Sequence, residues 1–173
     1  MPIVEMESRQ VVIIGAGPSG AIAAALLKRK GHDVLVIERQ HFPRFSIGES
    51  LLSHCLDFVE EAGMLDAVNA AGFQRKTGAA FAWGERYSAF DFGDTFTAGK
   101  PTTFQVQRAD FDKLLADQAA LQGVEIRYGE SIVSVDFERP QPRLIVQRED
   151  ASQLDQRFED KIVRADVTVP VSE

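Results

Sequence analysis

Cysteine is nearly missing from this chain: Cys55 is the only one among 173 residues. That excludes an internal disulfide, a thiol pair and a cysteine-based zinc site. Basic charge is also short, with 19 Lys and Arg against 26 Asp and Glu and a net charge of −7. A nucleic-acid protein would carry a basic footprint, so that partner is excluded. No long apolar run occurs. The most apolar stretch, residues 11–27, is broken by Gly15, Gly17, Pro18, Ser19 and Gly20 and falls short of a transmembrane segment. Residues 1–9 lack the basic-then-apolar pattern of a secretory leader. Repeats, low-complexity tracts and linkers are missing too. These absences lead to the expectation of a soluble, cytoplasmic protein.

The hydrophobic share of 45% and charged share of 26% are those of a globular chain long enough for one core. Gln10 to Ile14 is an extended segment whose last four residues are an unbroken apolar run, as in a strand buried on both faces of a parallel sheet. A glycine-rich turn follows, then a helix over 21–30 stopped by Gly31, then a second strand over 33–37 ending at Glu38. This is a βαβ opening. Ser50 is expected to cap a helix carrying Leu51, Leu52, Cys55, Leu56 and Val59, with Cys55 in the core. A short helix is expected over 64–70, and strands and loops over 77–104. An amphipathic helix spans 110–122 with Phe111, Leu114, Leu115, Gln118 and Leu121 on its stripe. Asp110 and Asp112 read as charges at that helix start. Extended segments follow over 124–128, 132–137, 143–149 and 157–169.

The turn Gly15-Ala16-Gly17-Pro18-Ser19-Gly20 is the most informative segment. Gly15 permits the tight exit from the strand, Gly17 the close approach of a pyrophosphate, and Gly20 the packing of helix on strand. Free N–H groups at the helix start suit the anion. Glu38, 18 residues beyond Gly20, can accept hydrogen bonds from both ribose hydroxyls of an adenosine. It would repel a 2′-phosphate, which disfavours NADP. FAD and NAD both remain open on these residues. His32, His41 and His54 have no partner at ligand spacing and read as structural or exposed, and no metal site is expected.

Residues 11 to about 169 resemble the flavoprotein superfamily of aromatic hydroxylases, geranylgeranyl reductases and flavin-dependent halogenases. The halogenase-like branch is the nearest in kind. The run that carries the likeness is Glu38-Arg39-Gln40-His41-Phe42-Pro43-Arg44-Phe45-Ser46-Ile47-Gly48-Glu49-Ser50-Leu51-Leu52. The resemblance implies FAD as cofactor, with Gly15, Gly17, Ser19 and Gly20 around its pyrophosphate, Glu38 on the ribose and Arg39 beside the adenine. It implies that Gly48 and Ser50 line the flavin side. The segment Arg108-Ala109-Asp110-Phe111-Asp112 looks like the family's Arg-x-x-Phe-Asp motif, which places Arg108 near the ribityl and phosphate region. Val133 matches the position whose backbone amide meets adenine. Without the resemblance, Arg39 and Arg44 read equally as solvated surface arginines.

The segment Gly72 to Gly84 is similar to the halogenase stretch with the active-site lysine, here Lys76. In that branch reduced flavin and oxygen convert chloride to hypochlorous acid, and the lysine captures this oxidant near the substrate. A desolvated lysine is nucleophilic enough for such a role. The expected architecture is an α/β, Rossmann-like, three-layer ββα FAD-binding fold, with helices on one face of a parallel sheet. An antiparallel meander from the strands after Val124 covers the other face. The chain reads as a single, incomplete FAD-binding domain over 1–173, with a β-rich substrate-side insertion at about 72–107. Its ending at Pro170-Val171-Ser172-Glu173, where the family runs on into further motifs, reads as an N-terminal portion of such an enzyme. Implied partners are a small-molecule substrate, in the first place aromatic, and a flavin reductase or NAD(P)H as electron source. Two alternatives stand beside this reading: a geranylgeranyl-reductase-like FAD enzyme acting on a hydrophobic substrate, and a non-catalytic dinucleotide-binding remnant.

Overall fold

The computed structural model describes residues 6–94, 96, 99–138, 140–148 and 160–165. Its centre is a parallel sheet of three strands, β2 (Val11–Ile14), β3 (Val34–Glu38) and β8 (Glu125–Tyr128), in the order β2-β3-β8. β3 is the middle strand, and every one of its residues is buried. Its alternation divides the core. Val34 and Val36 face α1 (Pro18–Arg29) and α4 (Arg108–Leu121), while Leu35 and Ile37 face a second sheet. Two buried faces explain the unbroken apolar run.

The second sheet has the order β1-β11-β10-β9, from β1 (Met6–Arg9), β9 (Glu130–Asp136), β10 (Arg143–Arg148) and β11 (Asp160–Ala165). β9, β10 and β11 form the antiparallel meander, and β1 joins β11 in parallel. Leu144 and Val146 press on Leu35 and Ile37, with Val12, Ile132 and Val135 around them. The three layers are therefore helices, parallel sheet and meander, as expected. The meander's origin needs correcting. Residues 125–128 pair in parallel with β3, and the meander begins at Glu130, after Gly129 turns the chain at φ +71°. Their polar alternation reflects an outer position in the parallel sheet, where one face is wet.

Between β3 and α4 in the chain come α2 (Cys55–Glu61), α3 (Leu65–Ala70), and four short strands: β4 (Gln74–Lys76), β5 (Gly78–Trp83), β6 (Arg86–Asp91) and β7 (Thr103–Gln105). β4 pairs with β7, and β5 pairs with β6. Three local expectations fail here. Ser50 caps no helix: it bridges to Gln105 in extended conformation, and α2 starts only at Cys55. Cys55 is exposed, because Leu56 and Val59 take the buried stripe. In α4 the buried face is Phe111, Asp112, Leu115, Ala116 and Ala119, and Leu121 points outward. Small residues let α4 pack closely, so its apolar side chains mark the face poorly. Residues 149–159 and 166–173, including parts of the last expected strands and the chain's final residues, lie outside the described residues.

Candidate dinucleotide site

α1 begins at Pro18, three residues before the expected start, with Gly17 as its N-cap. No side chain caps it and no acid lies in its first turn, so its positive end is open to an anion. Gly20 is demanded by packing: a Cβ there would stand 2.0 Å from the Gly15 carbonyl oxygen. Gly15 itself adopts φ +95°, which side chains rarely tolerate. Ser19 is exposed in the first turn of α1.

Glu38 ends β3 beneath this turn. Its carboxylate accepts a hydrogen bond from the Ala16 amide at 2.8 Å and another from the Gln40 amide at 2.9 Å. It is buried, so the acid that follows the glycine loop also fastens that loop. The adjoining cleft, of about 450 Å³, is lined by Gly15, Glu38, Arg39, Gln40, Arg44, Glu130, Ser131 and Ile132 among others. Arg39 lines it from an exposed position. Val133 is 57% exposed and lies one residue past the cleft's β9 wall. It is the extra residue of a β-bulge: Ile145 pairs with Ser134 and Val146 with Ile132, leaving Val133 without a counterpart on β10.

A chain of charges runs from this cleft toward Lys76. The Arg44 guanidinium lies over Gly17, 3.5 Å from where a Cβ would be, and Nη2 reaches Asp112 at 3.7 Å and Glu38 at 4.0 Å. Asp112 is 0% exposed and grips Arg108 through two bonds of 2.7 and 3.0 Å. Arg108 donates in turn to the Ile47 carbonyl at 2.6 Å, and its Nη1 packs against Gly48, which adopts φ +94°. Beyond Gly48 the chain pairs with β7, and the Lys76 ammonium donates to Ser50 Oγ and lies 3.4 Å from the Leu51 carbonyl oxygen. The same ammonium stands 5.4 Å from the centre of the Phe92 ring.

The structure thus gathers Gly15, Gly17, Gly20 and Glu38 at one end, Gly48 and Arg108 in the middle, and Ser50 with Lys76 at the other. Arg44, Asp112 and Glu130 were missed as site residues. The sequence signal for Asp112 was available, since Arg108 precedes it by one helical turn, the spacing of a facing ion pair. His32, His41 and His54 are exposed, and His54 pairs with Asp57. Among the described residues no cluster could hold a metal ion, and no helix is long and apolar enough to cross a membrane. An uncapped helix start, a loop closed by Gly20, a buried acid and two arginines together suit an adenine dinucleotide with its negative pyrophosphate.

Comparison with known proteins gives the class. The FAD binding domain family matches residues 8–159, and the chain belongs to it; its cofactor is FAD. Its relatives are flavin-dependent halogenases. A tryptophan 2-halogenase of Chondromyces crocatus is 37% identical over 135 residues, covering 78% of this chain and 25% of its own. A flavin-dependent halogenase of Acremonium egyptiacum is 39% identical over 135 residues, covering 75% and 24%. Among solved structures, a flavoprotein/dehydrogenase of Cytophaga hutchinsonii superposes with TM-score 0.81 at 41% identity, over 91% of this chain and 38% of that one. The myxobacterial chondrochloren halogenase superposes with TM-score 0.80 at 29% identity, over 92% and 36%. The chain spans about a quarter of the length of the first two relatives.

Proposed function

We propose that this chain is the FAD-holding part of a flavin-dependent halogenase. The observation that carries it is the continuous line of contacts from Ala16 and Glu38 through Arg44, Asp112 and Arg108 to Gly48, with Ser50 and Lys76 just past it. Bound FAD supplies the two-electron redox chemistry. The residues of the chain hold and orient it: Gly15, Gly17, Ser19 and Gly20 receive the pyrophosphate on backbone N–H groups, and Glu38 takes the ribose hydroxyls. Arg39 and the Val133 amide flank the adenine. Arg108 carries positive charge to the ribityl and phosphate region, and Gly48 and Ser50 line the flavin side. Lys76 is the catalytic candidate: its Nζ, a donor to Ser50 Oγ, would bind the electrophilic halogen species by hydrogen bonding or, as the neutral amine, capture it.

The substrate on this reading is a small aromatic molecule, free or carried on a protein. Among the relatives, one is a tryptophan 2-halogenase and another a brominase of a pyrrole-carbonyl peptidyl-carrier protein. Electrons come from a flavin reductase or NAD(P)H. The likeness to the Cytophaga flavoprotein/dehydrogenase favours a second reading, a flavoenzyme that acts without halide, the class to which the geranylgeranyl-reductase-like reading belongs. FAD titration followed by absorbance, beside Gly17→Trp as a blocked loop, tests the cofactor site. Saturable binding lost in Gly17→Trp supports it, and a folded chain that binds no FAD overturns it in favour of the remnant. With the chain carried in a completed protein that adds the length its relatives have beyond it, and supplied with FAD, a flavin reductase, oxygen, chloride and an electron-rich arene, the halogenase reading expects product heavier by chlorine for hydrogen and silence in Lys76→Ala. Arene or alkene turnover unaffected by halide supports the second reading.

A further inference from the structure

Glu130 is a buried acid that the cofactor roles above leave unused. It opens β9, is 4% exposed, and has a carboxylate oxygen, Oε2, shut from solvent with no hydrogen-bond donor among the described residues. It lines the same cleft as Glu38, Arg39, Gln40 and Ser131. A carboxylate held away from water without a donor is costly, so a position of this kind calls for one. Glu38, by contrast, already receives two backbone amides. The chain's own candidate donor is Arg44, whose Nε is also buried and unpartnered. Its Nη2, however, is turned toward Asp112 and Glu38.

We propose that Glu130 reads the base of the bound dinucleotide, accepting a hydrogen bond from the exocyclic amino group of adenine. The proposal rests on the FAD reading of this cleft. With the ribose on Glu38, the base attached to it extends along the same cleft, and the β9 wall there is Glu130, Ser131 and Ile132. Adenine presents an amino donor where hypoxanthine presents a carbonyl acceptor. Against a carboxylate the first is bonded and the second repelled, so Glu130 selects for the amino group. A site whose buried polar group is left unpaired by the wrong ligand discriminates strongly.

The experiment titrates the 173-residue chain with FAD, ADP, IDP and inorganic pyrophosphate by calorimetry, for the native protein, Glu130→Gln and Glu130→Ala. Circular dichroism checks that each variant is folded. The native chain is expected to prefer ADP over IDP by about tenfold or more. Glu130→Gln, whose amide can donate to the hypoxanthine oxygen, should narrow or invert that preference, and Glu130→Ala should bring it toward one. An ADP-to-IDP ratio equal in all three proteins, with FAD still bound, overturns the base-reading role alone. Equal weakening of ADP, IDP and pyrophosphate in Glu130→Gln also overturns it, because Glu130 would then act as the partner of Arg44. A native chain that binds neither FAD nor ADP removes the cofactor reading and this one together.

Discussion

Asp112 holds two arginines that approach from different elements, Arg108 along its own helix and Arg44 from the loop after β3. Removing one partner of a buried ion pair leaves charge unmatched where water cannot screen it. Asp112→Asn keeps the shape and deletes the charge, so unfolding in urea should show a loss of about 3 kcal/mol. FAD affinity should fall too, because Arg108 then loses its orientation toward Gly48. An unchanged urea midpoint would mean that water already screens this cluster. Gly20→Ala tests the opposite end. Its Cβ, 2.0 Å from the Gly15 carbonyl oxygen, forces the loop off the helix start, and strain of about 1–3 kcal/mol, if met on binding, corresponds to FAD affinity weaker by about 5- to 150-fold. Equal affinities in the titration would show that the loop yields without cost. The glycines and Glu38 were legible because each is required by local geometry at a set spacing. Arg44 and Glu130 were not, since their work depends on burial and on neighbours far along the chain; Asp112 carried a local signal in its i,i+4 spacing from Arg108, but not its burial or its contact with Arg44. The bulge at Val133 arises from a one-residue mismatch with β10, which no single segment reveals.

At the scale of elements, β1 and β8 belong to different sheets and are tied by side chains. Arg127 on β8 donates to Glu7 on β1, with one bond at 2.9 Å, and Arg9 on β1 meets Glu125 on β8 at 2.7 Å. The hydrogen bond from Arg127 is the chief reason that the Glu7 carboxyl sits below its ordinary value of 4.5; burial opposes this and the positive charges of Arg127 and Arg9 add to it. The sign follows directly. A carboxyl whose pKa is lowered by folding stabilises the fold above 4.5 and loses that contribution as pH falls through its folded value. Melting temperature measured from pH 6 down to pH 3 should therefore fall less steeply in Glu7→Gln, which starts lower and has no such proton to take up. Parallel slopes would show that this tie adds nothing beyond a solvated pair. β1 was not expected from the sequence, because Glu7 and Arg9 give a polar segment its place through charge rather than through apolar pattern. β3 was legible because burial on both faces leaves a continuous apolar run; β2 has the same kind of run, but its residues are only partly buried and Ile14 is exposed, so its expected burial on both faces is not met. β8 was legible as a strand and misplaced as to sheet, since alternation reports a wet face without saying which layer owns it.

For the whole molecule, the helices, parallel sheet and meander enclose one large and one small core, while the β5–β6 hairpin pairs with no other strand among the described residues. Its aromatic side chains are exposed: Trp83, at 86%, shares one face of the hairpin with Phe81 and Phe90, and Tyr87 stands on the other. Phe81 and Phe90 stack at 6.2 Å across the hairpin, so the apolar surface is contiguous rather than scattered. Such a patch, on a two-stranded unit with open edges, drives self-association. The net charge of −7 opposes association through long-range repulsion, and salt at 0.1 M screens that repulsion beyond about 10 Å. The isolated chain should therefore associate more as salt rises, the reverse of an assembly held by ion pairs. Light scattering at low and high salt checks the direction, and the paired change Phe81→Thr with Trp83→Thr should remove the salt-driven increase. Both sites lie on a strand where threonine is well tolerated. Because Trp83 is the only tryptophan, its emission in the unsubstituted chain gives a second reading: water-like and open to quenching at low salt, shielded as association proceeds. Scattering that rises with salt while Trp83 stays fully quenchable would place the association on another face.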